Sequence, residues 1–167
     1  NKDNAGGITF NMTNDFNNNI DARNRLIESI DFWKCNTLIN LKTGDNIDKF
    51  SFGDGINTIR WEENNELPDG VLGQTRSSIQ SCSNGNIQRE TDIVYSRKAK
   101  WNFGFQNPQA DQIDFKSVIL HELGHVHLLG HVNDPDDLMY FGIGNGEYKH
   151  NLNTNNLNCS AYIMDYS

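Results

Sequence analysis

The sequence predicts an α+β domain, with five short strands, two long helices and a short helix closing the chain. Two observations predict it. Runs rich in β-branched and aromatic residues recur between clusters of Gly, Asn, Asp and Pro, which is strand and turn chemistry. Two longer stretches instead place apolar residues at helical spacing, so helices and strands share one chain without a strict βαβ alternation. No internal repeat and no linker divides the 167 residues, which suit one domain with a single core.

Taken in order, Ile8 to Met12 alternates weakly and reads as a first strand. Asn17 to Asn19 reads as a loop, with Asn19 or Asp21 able to cap the first long helix. From Ala22 to about Lys34, the residues Ala22, Leu26, Ile30 and Trp33 form one apolar stripe, the mark of a helix laid on a sheet. Thr37 to Leu41 and Thr58 to Trp61 read as the second and third strands. Glu62 to Glu66 looks acidic and exposed, and Pro68-Asp69-Gly70 is a turn. Val71 to Thr75 is a candidate edge strand, Ser81 to Asn86 a loop, and Thr91 to Tyr95 a fifth strand. After a long loop from Trp101 to Asp111, Asp111 or Asp114 caps a second helix. Its residues Phe115, Ile119, Leu123 and Val126 make one face, and Val118, His121 and His125 another. A last short helix runs from about Asn155 to Tyr166.

Composition narrows the function classes. The formal net charge is −8 and the basic residues are scattered, so the chain lacks the clustered cations of a nucleic-acid surface. Arg97-Lys98-Ala99-Lys100, the tightest basic group, reads as a solvated loop. No apolar run is long enough to span a bilayer, and Asn1-Lys2-Asp3-Asn4 is no signal peptide. The chain is either cytosolic or the mature part of something longer, with leader and pro-segment removed; a secreted, monomeric protein is the expectation. Cys35, Cys82 and Cys159 leave two alternatives open: one disulfide with a free thiol, in any of three pairings, or three buried thiols.

The chemistry is concentrated in His121-Glu122-Leu123-Gly124-His125-Val126-His127-Leu128-Leu129-Gly130-His131. At 3.6 residues per turn His121 and His125 differ by about 40° of rotation, so both imidazoles can reach one metal ion. His131 becomes a third ligand only if the chain turns sharply after His125, and Gly130 is a residue that permits a turn. Three neutral imidazoles with an open fourth position suit catalytic Zn²⁺, and Glu122 is placed to act as its base. The bland alternative is two solvent-facing helix histidines. It fails on the apolar surroundings, where unpaired ionisable groups cost several kcal/mol. His127, about 200° round from His125, belongs to another face. His150, in a polar segment, is expected to be exposed.

This extended motif resembles that of the metzincin zinc endopeptidases, His-Glu-x-x-His-x-x-Gly-x-x-His followed by a methionine-containing turn. The match continues through Asp134-Pro135 and Leu138-Met139-Tyr140, which is similar to the matrixin branch, and Val71 to Thr75 with Thr91 to Val94 resemble its last two strands. The resemblance is strong over about residues 115–141 and loose elsewhere. It implies a metzincin-like, twisted mixed sheet as an upper part (to about residue 130) and a small irregular lower part (from about 131) beneath a cleft. It implies a zinc-dependent endopeptidase acting on protein or peptide substrates, with His121, His125 and His131 on the metal and Glu122 as general base. Met139 would form the floor of the site. Leu72, Gly73 and Gln74 would pair with an extended substrate, and Phe141, Gly142 and Ile143 would line the pocket for the side chain following the cut, implying an apolar residue there. Calcium is compatible with the many Asp and Asn side chains, but no loop has a spacing that names a site.

Two positions, Leu128 and Val132, depart from the matrixin pattern, and a third separates the chain from other metzincins. Leu128 stands where the family has the glycine that releases the chain from the helix, leaving Gly130 to make the turn. Val132 replaces the serine usual after the third histidine in matrixins. Phe141 cannot supply the tyrosine ligand found two residues after the methionine in astacin-like and serralysin-like enzymes. Two alternatives stay open: a zinc-binding scaffold of the same fold without proteolysis, and a non-hydrolytic three-histidine metal protein.

Overall fold

The computed structural model describes residues 7–37, 39–82 and 85–165. In chain order the elements are β1 (Ile8–Thr13), α1 (Asn14–Asn18), α2 (Ile20–Thr37), β2 (Leu41–Ile47), β3 (Thr58–Trp61), β4 (Gly73–Cys82), β5 (Gly85–Tyr95), β6 (Trp101–Asn102), β7 (Ile113–Asp114), α3 (Phe115–Val126) and α4 (Thr154–Asp165). Five strands form one mixed sheet in the order β2-β1-β3-β5-β4, and β6 pairs with β7 in a separate two-stranded piece. The pairs β1–β2, β1–β3 and β3–β5 are parallel, whereas β4 is an antiparallel edge strand on β5.

The expected apolar stripe of α2 is the one that is buried. Ala22, Leu26, Ile30 and Trp33 are all within 3% of full burial, against Phe10 of β1 and Ile119, Leu120 and Leu123 of α3. Trp33 joins the two long helices directly, because its indole N–H donates to Leu120 O at 3.0 Å. A buried Trp needs such a partner, and here the partner is helix backbone. A second aromatic group of Phe16, Trp61, Tyr95 and Phe115 fills the space between β3, β5 and the start of α3. The core therefore clamps α3 on several sides, which fixes the helix that carries the histidine motif.

Several expectations are corrected. Asn17 to Asn19 is largely the short helix α1. Asn19 then caps α2, its Oδ1 accepting from Ala22 N at 3.1 Å. The second strand begins at Leu41, not Thr37, because α2 runs on to Thr37, whose hydroxyl donates to Trp33 O at 2.8 Å. The strand runs on past Leu41, and pairing with β1 together with the Asn11 side chain holds Lys42 to Asn46 extended. The expected loop from Ser81 to Asn86 belongs instead to a long β4–β5 hairpin paired as far as Cys82 and Gly85. Residues 83 and 84 lie outside the described residues.

Charge placement differs too. Glu62 is buried, accepting from Ser96 Oγ and Arg97 N at 2.9 Å each. The basic group is not merely solvated: Arg97 pairs with Asp15, Lys98 with Asp69 at 3.0 Å, and Lys100 with Asp111. Cys35 and Cys159 carry free, exposed thiols, so the reading of three buried thiols fails for both. The side chain of Cys82 lies outside the described residues. No helix among the described residues is long and apolar enough to cross a membrane.

Candidate metal centre and cleft

Asp114 starts α3. Its Oδ2 accepts from Ser117 N at 2.8 Å and from Ser117 Oγ at 2.6 Å, so of the two expected caps, Asp111 and Asp114, it is Asp114 that forms. His150 donates to the same oxygen from Nε2 at 2.6 Å, which makes His150 half-buried and paired, not exposed as expected. Burial raises the Asp114 pKa, but the bonds from His150 and Ser117 outweigh it and hold the carboxyl below its ordinary value.

The helix ends in a tight backbone turn. Leu128 N–H donates to His125 O at 2.9 Å and Leu129 N–H donates to Gly124 O at 3.1 Å, the paired bonds of a Schellman motif. That motif requires a left-handed residue, and Leu128 supplies it with φ of 61°. Gly130, the residue expected to make the turn, has no positive φ. The family glycine is thus replaced in place by a leucine bent into glycine's conformation, at a cost of roughly 1–2 kcal/mol. The Leu128 side chain points outward, 45% exposed, while Leu129 is buried in the core.

Beyond this turn His131 comes back to the helix. The Nε2 atoms of His121, His125 and His131 lie 3.1 Å from one another. Backbone holds the rings: His121 Nδ1–H donates to Leu138 O at 2.8 Å, and His125 Nδ1–H donates to Leu129 O at 2.7 Å. In a neutral imidazole that leaves each Nε2 without a proton, its lone pair turned towards the other two rings. Burial lowers the pKa of His125 and takes that of His121 down to about 4, so both rings are neutral near pH 7. Lone pairs gathered this closely repel unless a cation lies between them. A tetrahedral Zn²⁺ at about 2.0–2.1 Å from each nitrogen would set them about 3.3 Å apart, so the three residues fit that ion.

His127 takes no part. It is buried, its ring stacks on Trp33 at 4.3 Å between centroids, and its Nδ1–H donates to Leu123 O at 2.6 Å.

The segment after His131 is stitched to the site. Val132 N–H donates to Met139 O at 3.1 Å, and Asp137 caps the turn by accepting from Met139 N at 2.6 Å. Asn156 of α4 donates to the same carboxylate at 3.2 Å, as does Asn153, so the last helix anchors this turn. Met139 is fully buried and packs on Gly124, leaving no room there for a Cβ.

Glu122 is buried, and its Oε2 accepts from Thr75 Oγ1 at 2.7 Å. Burial raises its pKa to about 7, only partly opposed by the Thr75 bond. Gly73 makes space for this carboxylate, since a Cβ there would approach Oε1 to 2.9 Å. A cleft of about 470 Å³ brings Glu122 and the three histidines together with every predicted contact residue: Leu72, Gly73 and Gln74 at β4, and Phe141, Gly142 and Ile143 opposite. Met139 does not line it. Sequence reasoning missed Thr75 and Lys149, which do. Thr75 was within reach, because strand periodicity puts it on the same face as Gly73.

An open cleft between a sheet edge and a helix, with three convergent imidazoles and a buried carboxylate, defines a metallohydrolase-type domain. The chain belongs to the matrixin family: the matrixin family model matches residues 4–161. The α+β fold with a mixed five-stranded sheet agrees with that membership, and matrixins are zinc-dependent peptidases. No curated protein matches the chain.

Proposed function

We propose that this protein is a secreted zinc endopeptidase that hydrolyses internal peptide bonds of protein substrates. The observation that carries the reading is the meeting of three Nε2 atoms, each 3.1 Å from the others, with the buried Glu122 carboxylate in one open cleft. His121, His125 and His131 would hold the metal, which when bound supplies Lewis acidity for acidifying water and polarising a carbonyl.

The remaining roles belong to the chain. Glu122 takes the proton of the attacking water at its carboxylate and delivers it to the departing amine. A carboxyl with pKa near 7 suits both directions of that transfer. β4 is the edge of the sheet, so a peptide can add to it as a further strand along Leu72, Gly73 and Gln74. Phe141, Gly142 and Ile143 then border the side chain after the cut. Met139 supports the site from the core without touching substrate.

The test is incubation of an unfolded protein with the zinc-loaded enzyme, with and without chelator, and mass-spectrometric mapping of the fragments. Internal cuts that stop with chelator and return with zinc support the reading. Intact substrate in the zinc-loaded sample sinks it.

A further inference from the structure

We infer that Lys149 makes the cleft select a glutamate or aspartate side chain at the substrate position after the cut. The inference rests on the peptidase reading and replaces the apolar residue expected there.

Lys149 follows the loop after Tyr140 and is anchored by its backbone, its N–H donating to Ser117 Oγ at 2.7 Å. Its side chain runs along the cleft wall, and Nζ donates to Gly142 O at 3.0 Å. Nζ also lies 4.7 Å from the centre of the Tyr140 ring. Lys149 lines the same cleft as His121, His125 and His131.

Carboxylates hold four of the chain's other buried or half-buried cations. Arg25 and Lys116 hold Glu28, and Arg60 and Arg76 hold Glu66. Among the described residues no carboxylate lies within ion-pair distance of Lys149, although the sequence has 22 acidic side chains for 14 basic ones. Glu122, the carboxylate of the cleft, is held by Thr75 instead. Lys149 is also the one Lys or Arg among the described residues that line the cleft.

Around it the wall is apolar, formed by Val118, Tyr140, Phe141 and Ile143. A half-buried ammonium with one of its three N–H donors committed to a carbonyl gains most from an incoming anion. A leucine side chain in the same place would cover the ammonium and leave its other donors unsatisfied. Apolar sides with a single cation match a carboxylate on a short methylene stem.

The test uses fluorogenic peptides that differ only in having Glu, Gln or Leu after the cut. Wild type should favour Glu over Gln by about tenfold in kcat/KM, the size of one charge-assisted bond. Lys149→Met should bring that ratio near one, and Lys149→Glu should favour a Lys peptide. Should Lys149→Met not fold, Lys149→Gln keeps a donor to Gly142 and should also lose the preference. A wild type that cuts the Leu peptide best, or a Glu:Gln ratio unmoved by Lys149→Gln, overturns the inference.

Equilibrium binding of the same peptides to Glu122→Gln separates the two proposals. Tighter binding of the Glu peptide without any wild-type cleavage would leave the pocket assignment standing and remove the peptidase reading. Equal binding of all three peptides would remove the pocket assignment alone.

Discussion

The Thr75 hydroxyl lies 2.7 Å from Glu122 Oε2, which ties a carboxylate on α3 to the edge strand where a peptide would dock. The same hydroxyl is 3.1 Å from Glu122 O, so Thr75 grips both ends of the residue. With Oε2 committed, Oε1 is the oxygen left beside Gly73. Thr75→Val removes the donor at nearly constant volume and should lower kcat about 10- to 100-fold with KM little changed, because it loosens the aim of the base. Thr75→Ser should restore most of the rate. Steady-state kinetics on one peptide checks this, and full activity in the valine variant would refute it.

Leu128 gives a prediction about stability. Its left-handed backbone is strained, and its exposed side chain contributes little packing. Leu128→Gly relieves roughly 1–2 kcal/mol of strain, while the freer unfolded chain takes back about 0.4–1 kcal/mol. The net gain should raise Tm by about 1–4 °C. Thermal unfolding of the two zinc-loaded proteins measures it, and a fall in Tm would contradict the strain.

Acid sensitivity should come in part from Glu66. The Arg60 guanidinium bonds it, one of the two contacts being 2.8 Å, and holds its pKa down from 4.5 to about 2 against the opposing effect of burial. A carboxyl depressed in the folded state stabilises fully above its unfolded pKa and loses that contribution as pH falls through the folded value. The window therefore runs from about pH 4.5 down to about pH 2. Partial exposure limits the contribution to roughly 1–2 kcal/mol. Glu66→Gln should be less stable than wild type by that amount at pH 6, with the gap closing towards pH 2. Denaturant melts across this range check it, since acid loss of metal affects both proteins alike.

Much of the site was legible in the sequence because it depends on local geometry. Helix periodicity alone placed His121 and His125 together, and Asp114 was a readable cap. The third strand matches its predicted span, since Thr58 to Trp61 is β-branched and aromatic between turn residues. What was not legible depends on distant partners. Glu62 looks like surface charge until Ser96 and Arg97 are brought to it, and Leu41 to Ile47 becomes a strand by pairing with β1. Leu128 misled for a different reason: the conformational freedom of glycine pointed to Gly130 for the turn, whereas the fold forces the turn on a leucine. Lys149 and Thr75 gain meaning only from the residues opposite them, 7 and 47 positions away.

The most direct measurement compares wild type with Glu122→Ala, each assayed for bound zinc and for cleavage of one peptide. The account predicts one zinc in both proteins, internal cleavage by wild type, and a loss of at least about a hundredfold in kcat for the variant. Equal cleavage by the two proteins, or none by a wild type carrying its zinc, would contradict it.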